Sequence, residues 1–385
     1  MIKVMLELPP LSLYIHFPWC LKKCPYCDFN SHTLKTDLPE EVYIRALLRD
    51  LQQELSAIQN RPLVSIYLGG GTPSLFSGKS LEFLLNKICS MVEWVSDIEI
   101  TLEVNPGSLE IDRFNDYYHA GINRLSIGVQ SFNDQYLAKL GRIHNAKAAR
   151  KAIEAAQKAG FSNYNVDLMY ALPGQTIQEG LEDLKQALAL KIPHLSWYQL
   201  TIEPHTAFFH KPPILPSDDD AADLQEQGLI ELETFGLNQY EIAAFSLPGF
   251  ACRHNNHYWT FGDYLGIGAG AHSKITYADQ QCIQRFWKVA HPKAYLSVKD
   301  MDSFRADSKA LTIEELPFEF MLNVCRRYQP ITRTLFEQRT GLSFDSLMPV
   351  LNKAYAKGFL NCDETAITIT PLGRQFYNDL VTLFL

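Results

Sequence analysis

Three cysteines stand within one short stretch, Cys20-Leu-Lys-Lys-Cys24-Pro-Tyr-Cys27. Thiolates at C-x3-C-x2-C spacing can all point at one site and so can hold a metal centre. A [4Fe–4S] cube takes four ligands. Three protein thiolates leave one iron open, and an open iron can chelate a small molecule through amino and carboxylate groups. A structural zinc site usually has four protein ligands in two separated pairs, and the chain has no second cysteine pair to match this one. His16 or His32 could complete a Cys3His set, which keeps zinc open as an alternative. The other five cysteines (Cys89, Cys252, Cys282, Cys325 and Cys362) are scattered singly, the pattern of buried free thiols rather than of a disulfide framework.

The elements that must position these thiols are legible as an alternation. Short apolar runs at Leu11–His16, Val64–Leu68, Ile98–Val104, Arg124–Val129, Asn163–Met169, His194–Leu200 and Gln239–Ala243 read as strands. Between them, Glu40–Ile58, Leu81–Val92, Ala146–Lys158, Ile177–Leu190 and Asp218–Phe235 read as amphipathic helices. Repeated βα units imply a parallel sheet with helical crossovers, an α/β fold, and some six units suggest an open or closed barrel. Polar residues and glycines gather at the carboxyl ends of the strands: Gly69-Gly70-Gly71-Thr72, Glu103, Gln130 and Asp167. That is the face where β/α barrels carry their sites. The first strand runs into the cysteine loop, which places the metal at the same rim.

The chain has 385 residues, enough for one large domain and a smaller one. It is expected to divide into a barrel core over residues 1–245, a Gly- and aromatic-rich extension over 246–300, and a C-terminal domain over 301–385. In the last of these, helical patterns at Leu311–Cys325, Arg333–Gln338 and Asp345–Lys357 precede a two-stranded wing at Phe359–Thr370 and a final helix at Pro371–Leu385. This is a winged-helix-like α+β arrangement. Residues 309–385 carry eight Lys/Arg against eight Asp/Glu, and the whole chain has net charge −8, so a nucleic-acid partner is not expected. The N-terminal apolar run is too short for a secretory signal and no run approaches a membrane span. With reduced cysteines, this leads to an expected cytoplasmic location.

Taken together, the motifs resemble one branch of the radical S-adenosylmethionine (SAM) superfamily. It is the branch that contains oxygen-independent coproporphyrinogen III oxidase and the related heme chaperones. The resemblance is carried by Tyr14-Ile-His-Phe-Pro-Trp-Cys20, the three cysteines, Gly69-Gly-Gly-Thr-Pro73, Leu102-Glu-Val-Asn-Pro106 and Gly128-Val-Gln-Ser-Phe132. Leu140-Gly-Arg142, Asp167-Leu-Met-Tyr-Ala-Leu-Pro-Gly174 and Cys252-Arg-His-Asn-Asn-His-Tyr-Trp259 complete it. It implies a partial (β/α)6 TIM-like barrel, a [4Fe–4S] cluster on Cys20, Cys24 and Cys27, and SAM on the fourth iron. It also implies SAM contacts at Tyr14, at Gly70, Gly71 and Thr72 against the methionine part, and at Glu103, Gln130, Arg142 and Asp167 as polar clamps. Tyr26 would cover the cluster or stack near the adenine. Each of these also has a structural reading: a core tyrosine with a satisfied hydroxyl, a tight turn, or an ion pair.

Within this branch the oxidases resemble C-x3-C-x2-C-x-C. Here Phe29 stands at the position of the further cysteine. His254-Asn-Asn-His-Tyr-Trp259 instead matches the H-N-x-x-Y-W signature of the chaperones, which implies a heme site at His254, Tyr258 and Trp259. An imidazole can ligate heme iron, and Tyr258 and Trp259 offer flat apolar surface. His257 lies three residues on, and His272 and Cys252 are further candidate ligands. The resemblance thus implies a chaperone that passes heme to an acceptor protein, such as a respiratory enzyme of the membrane. Peripheral membrane association and a monomeric or homodimeric state go with it. The alternative is a radical SAM oxidase that decarboxylates porphyrinogen propionates.

Overall fold

A computed structural model describes residues 4–299 and 302–385, so the expected boundary at 300–301 lies outside the described residues. Six strands run parallel in chain order: β1 (Leu11–Phe17), β2 (Leu63–Gly70), β3 (Trp94–Val104), β4 (Arg124–Gln130), β5 (Asn163–Tyr170) and β6 (His194–Gln199). A parallel sheet covered on both faces makes its strands near-continuous apolar runs. In β1 every residue except Tyr14 is buried.

The crossovers are helices whose ends the sequence specifies. α1 (Glu40–Ile58) opens on Glu40 and Glu41, favourable at the positive end of the helix dipole, and buries Tyr43, Ile44, Leu47 and Leu51. α2 (Gly78–Met91) is capped by Ser77, and α3 (Ala146–Lys158) by Asn145. α4 (Ile177–Ala189) begins with a reciprocal capping box between Thr176 and Glu179. α5 (Asp218–Phe235) runs from a Ser217 cap to Gly236, whose φ of +88° ends it in a left-handed turn.

The sheet continues on both sides of this parallel core. β7 (Asn238–Glu241) and β8 (Ala244–Ser246) add an antiparallel hairpin beside β6, where the sequence suggested a single strand. Beyond α6 (Arg253–Trp259), β9 (Asp263–Ile267) pairs in parallel with β1. β10 (His272–Tyr277), β11 (Cys282–Lys288) and β12 (Arg305–Ala310) then follow antiparallel. The order is β12-β11-β10-β9-β1-β2-β3-β4-β5-β6-β8-β7. Through β9, β10 and β11 the extension therefore shares one sheet with the core. β12, Arg-Ala-Asp-Ser-Lys-Ala, has no apolar alternation because it is a mostly exposed edge, and its charges discourage further pairing.

The C-terminal region builds its own core around Phe320, Phe336, Phe344, Leu351, Leu360 and Ile367. It comprises α7 (Leu316–Val324), α8 (Arg333–Thr340), α9 (Met348–Ala356) and a three-stranded sheet in the order Ile331–Thr332, Ala366–Ile369, Leu360–Cys362. α7 starts later than its periodicity suggests, because Pro317 sits in its first turn. The expected last helix is two short ones, Pro371–Gln375 and Tyr377–Thr382, broken at Phe376. Leu6 packs into this second core, and the Val4 and Glu7 amides donate to Gly341 and Gln338 carbonyls at 3.0 Å, so the start of the chain ties the two regions together. Among the described residues no helix is long and apolar enough to cross a membrane.

Candidate functional site

Parallel strands deliver all their carboxyl ends to one rim, and the cysteine loop leaves β1 there. The loop is drawn back on itself by a two-residue bridge, Trp19 and Cys20 against His32 and Thr33. The Leu34 amide reaches the Cys20 carbonyl at 2.9 Å, and a tight turn joins the Cys27 amide to the Cys24 carbonyl at 3.1 Å. Trp19 is fixed edge-on against Tyr43 at 4.7 Å. The three thiols line one cavity of about 570 Å³. Cys20 is buried and Cys24 and Cys27 are half-buried. In an iron–sulfur cube each thiolate binds its own iron, so the ligands need not meet at a point. No three His, Cys, Asp or Glu side chains among the described residues converge on a single ion. The donor set, three thiols on one loop facing one cavity, fits a cube with a vacant iron. Zinc finds less support: His16 Nδ1 meets the Tyr14 hydroxyl at 3.0 Å and its Nε2 the Asn30 carbonyl at 2.9 Å, His32 Nε2 meets Asn30 Oδ1 at 3.1 Å, and neither ring joins the cysteines around one point.

Gly70, Gly71, Thr72, Glu103, Gln130, Arg142, Asp167 and Tyr26 all line this cavity with the cysteines. Gly70 has φ +113°, and a Cβ there would lie 2.5 Å from the His16 ring; at Gly71 it would lie 2.5 Å from the Trp19 carbonyl. The protein's own packing therefore already demands both glycines. Glu103 accepts from the Gly70 amide and the Tyr67 hydroxyl, each at 3.0 Å. Burial raises its carboxyl to about 7, and the nearby Asp167 charge adds to the effect. Asp167 accepts from Asn165 Nδ2 at 2.7 Å and Ser126 Oγ at 3.2 Å, and burial raises it too. Two carboxyls in one poorly solvated cavity favour a cationic or hydroxyl-rich guest.

Arg142 is aimed by three contacts: Nη2 to Asn105 Oδ1 at 2.5 Å and to the Gly128 carbonyl at 2.9 Å, and Nη1 to Cys24 Sγ at 3.6 Å. Asn105 also donates to Thr72 Oγ1 at 3.2 Å. Gln130 sits at a break in the β4–β5 register with φ +70°, and its Oε1 takes the Tyr198 hydroxyl at 2.9 Å. Burial holds the Tyr26 phenol well above its ordinary value.

Three expected contacts sit behind the cavity wall. Tyr14 stacks on Tyr67 at 6.3 Å, and it is Tyr67 that reaches the cavity. His254 and Tyr258 share one face of α6 and point into the protein, while Asn255 and Trp259 line the cavity. His254 is 1% exposed; its Nδ1 lies 2.8 Å from Ser65 Oγ and its Nε2 lies 2.8 Å from the Tyr258 hydroxyl. His257 is tied to the Asp263 carbonyl at 2.6 Å, Cys252 is buried against Glu99, and His272 is exposed and stacked on Trp287. Tyr67, Asn105, Tyr198 and Arg326 belong to the cavity although the sequence did not single them out. Tyr67 and Asn105 each lie two residues from a named position, Gly69 and Glu103, and strand alternation was the available signal.

A parallel β/α sheet with a three-cysteine loop at its carboxyl rim, facing one cavity, defines a radical SAM fold. The model described as the Radical SAM superfamily matches residues 14–187, and the HemN C-terminal domain matches residues 311–376. A solved coproporphyrinogen III oxidase, HemN from Escherichia coli, superposes with a TM-score of 0.83 at 24% identity, covering 98% of this chain and 90% of that one, a likeness of fold. The chain belongs to the heme chaperone HemW family. It is 48% identical to the Haemophilus influenzae protein over 98% of this chain and 99% of that one, and 47% identical to the Escherichia coli protein over 99% and 100%. The Bacillus subtilis protein is 34% identical over 97% and 99%.

Proposed function

We propose that this chain is a heme chaperone that binds heme and passes it to an acceptor protein. Cys20, Cys24 and Cys27 would hold a [4Fe–4S] cluster, with SAM at the iron they leave open. The observation that carries the reading is full-length similarity to proteins named heme chaperones, with no large segment gained or lost. Phe29 supports it, standing two positions past Cys27, where the oxidase pattern has a further cysteine; it is 60% exposed and offers no ligand atom. When bound, the cluster supplies electron transfer and an open coordination position. Arg142 would donate to the Cys24 sulfur, and Glu103 and Asp167 would receive the polar or cationic groups of SAM.

The heme-binding segment would be α6. Trp259 offers an indole face in the cavity wall, and His254 offers a neutral imidazole whose Nε2 must first leave the Tyr258 hydroxyl. A reducing, cytoplasmic setting suits the free thiols. The acceptor would be a respiratory enzyme at the membrane, met by peripheral association of a monomer or homodimer.

The test is to mix heme-loaded, cluster-reconstituted protein with a heme-free hemoprotein, and separately with coproporphyrinogen III, SAM and reductant. Heme transfer without porphyrinogen turnover supports the chaperone. Conversion to protoporphyrinogen IX would replace it with the oxidase.

A further inference from the structure

Among the described residues, Arg326 is the one member of the cavity wall that comes from the C-terminal region. It reaches the cavity because the chain just after α7 docks on the outer strand of the sheet. The backbone of Glu241 on β7 forms an isolated antiparallel β-bridge with that of Arg327, and the Tyr328 amide donates to the Tyr240 carbonyl at 3.3 Å. Arg326 is then held from two sides. Nη2 donates to Glu241 Oε2 at 3.1 Å, and the guanidinium carbon sits 4.3 Å over the Trp259 ring. The Tyr377 phenol lies beside it as well. Glu241 is itself fixed, since its other carboxylate oxygen accepts the Ala243 amide at 2.9 Å.

Two buried donors in this corner have no acceptor: Arg326 Nε and the Trp259 indole Nε1. Buried N–H groups are rarely left unpaired. A guanidinium has five N–H donors in a planar fork that suits a carboxylate, and one carboxylate does not exhaust it. Glu241 acts as a clamp that orients the fork, and the indole supplies a flat wall with a further donor. The corner thus offers an anion site for an acceptor-bearing planar group.

We propose that Arg326, clamped by Glu241 and flanked by Trp259, binds a carboxylate of the molecule held in the cavity. The proposal rests on the reading of the cavity as the cargo and cofactor site. Two molecules named under that reading carry carboxylates, heme through its propionates and SAM through its amino-acid end, where one oxygen stays free when the other chelates the open iron.

The test titrates cluster-reconstituted full-length protein with hemin and hemin dimethyl ester, and with SAM and decarboxylated SAM. Wild type is set beside R326Q, R326K and E241Q, with thermal melting to confirm folding. R326Q is expected to weaken one carboxylate-bearing ligand about tenfold while leaving its esterified or decarboxylated counterpart unchanged. R326K, which keeps the charge and loses the fork, should fall between. E241Q keeps Arg326 and tests the clamp, with a smaller loss on the same ligand, should R326Q not fold. Loss confined to hemin assigns the corner to a propionate, and loss confined to SAM assigns it to the amino-acid carboxylate. Equal loss for a ligand and its counterpart lacking the carboxylate, or no loss for either pair, overturns the proposal. Failure of wild type to bind hemin at all would remove the heme reading, while the SAM pair would still decide on Arg326.

Discussion

His254 and Tyr258 stand one helical turn apart on α6, with Nε2 and the phenol oxygen 2.8 Å from each other, so the hydroxyl occupies the ring nitrogen a metal would need. Burial lowers the His254 pKa well below its ordinary value, with His257 and Arg124 adding to the effect, so the imidazole is neutral. The competitor for iron is therefore the phenol and not a proton. Tyr258→Phe should tighten hemin binding about fivefold, the worth of one net hydrogen bond of ~1 kcal/mol. His254→Ala should abolish the imidazole-type Soret spectrum. Equal affinity and equal spectra in wild type and both variants would take His254 off the iron.

The cluster makes a sharper demand on single residues. Cys20→Ser, Cys24→Ser and Cys27→Ser should each lose nearly all bound iron and sulfide after anaerobic reconstitution. Cys89→Ser, at an exposed site outside the cavity, should keep both. Elemental analysis reads the outcome. Full iron and sulfide in any of the first three would mean that the thiol is not a cluster ligand.

Glu103 should make ligand binding depend on pH. Its carboxyl is raised to about 7 by burial first and by Asp167 second, against about 4.3 for an unfolded chain. The folded protein therefore keeps a proton through that window which the unfolded chain has released. The stability owed to this group falls as pH rises through the window and levels off above it. A cationic guest needs the carboxylate, so SAM affinity should climb between about pH 6 and pH 8, by at most about tenfold per unit. Glu103→Gln should bind more weakly and show a flat profile. Equilibrium dialysis across that range decides, and a flat wild-type profile would remove Glu103 from the ligand.

A buried ion network holds β11 to α1. Lys288 Nζ lies 2.5 Å from Asp50 Oδ1 and 2.6 Å from Glu54 Oε1, with all three side chains almost wholly enclosed, and Arg305 Nε donates to Glu54 at 2.8 Å. Lys288→Met should destabilise the protein by about 3–5 kcal/mol, because it strands carboxylates in the interior. Urea unfolding reads this, and a loss below about 1 kcal/mol would mean that water already relieves the network.

The sequence made the parallel core legible because its strands are buried on both faces and its helices carry their own caps, as at Thr176 and Ser217. The cysteine loop and the polar strand ends were equally readable, since each lies at a fixed offset from an apolar run. What escaped depended on packing between distant segments. β12 is too charged to read as a strand, and β9 joins the sheet beside β1 across some 250 residues of chain. The inward turn of His254 depends on Tyr67, on which its ring stacks at 5.0 Å, and on Ser65. Arg326 enters the cavity only through the docking of the C-terminal region on β7, which no local pattern announces.

The most direct test of the central claim is an anaerobic hemin titration of the cluster-reconstituted protein, followed by the Soret band. Saturable binding at about one heme per chain and release of that heme to a heme-free acceptor are expected. Absence of saturable binding, with the cluster intact and the fold confirmed, would contradict the claim.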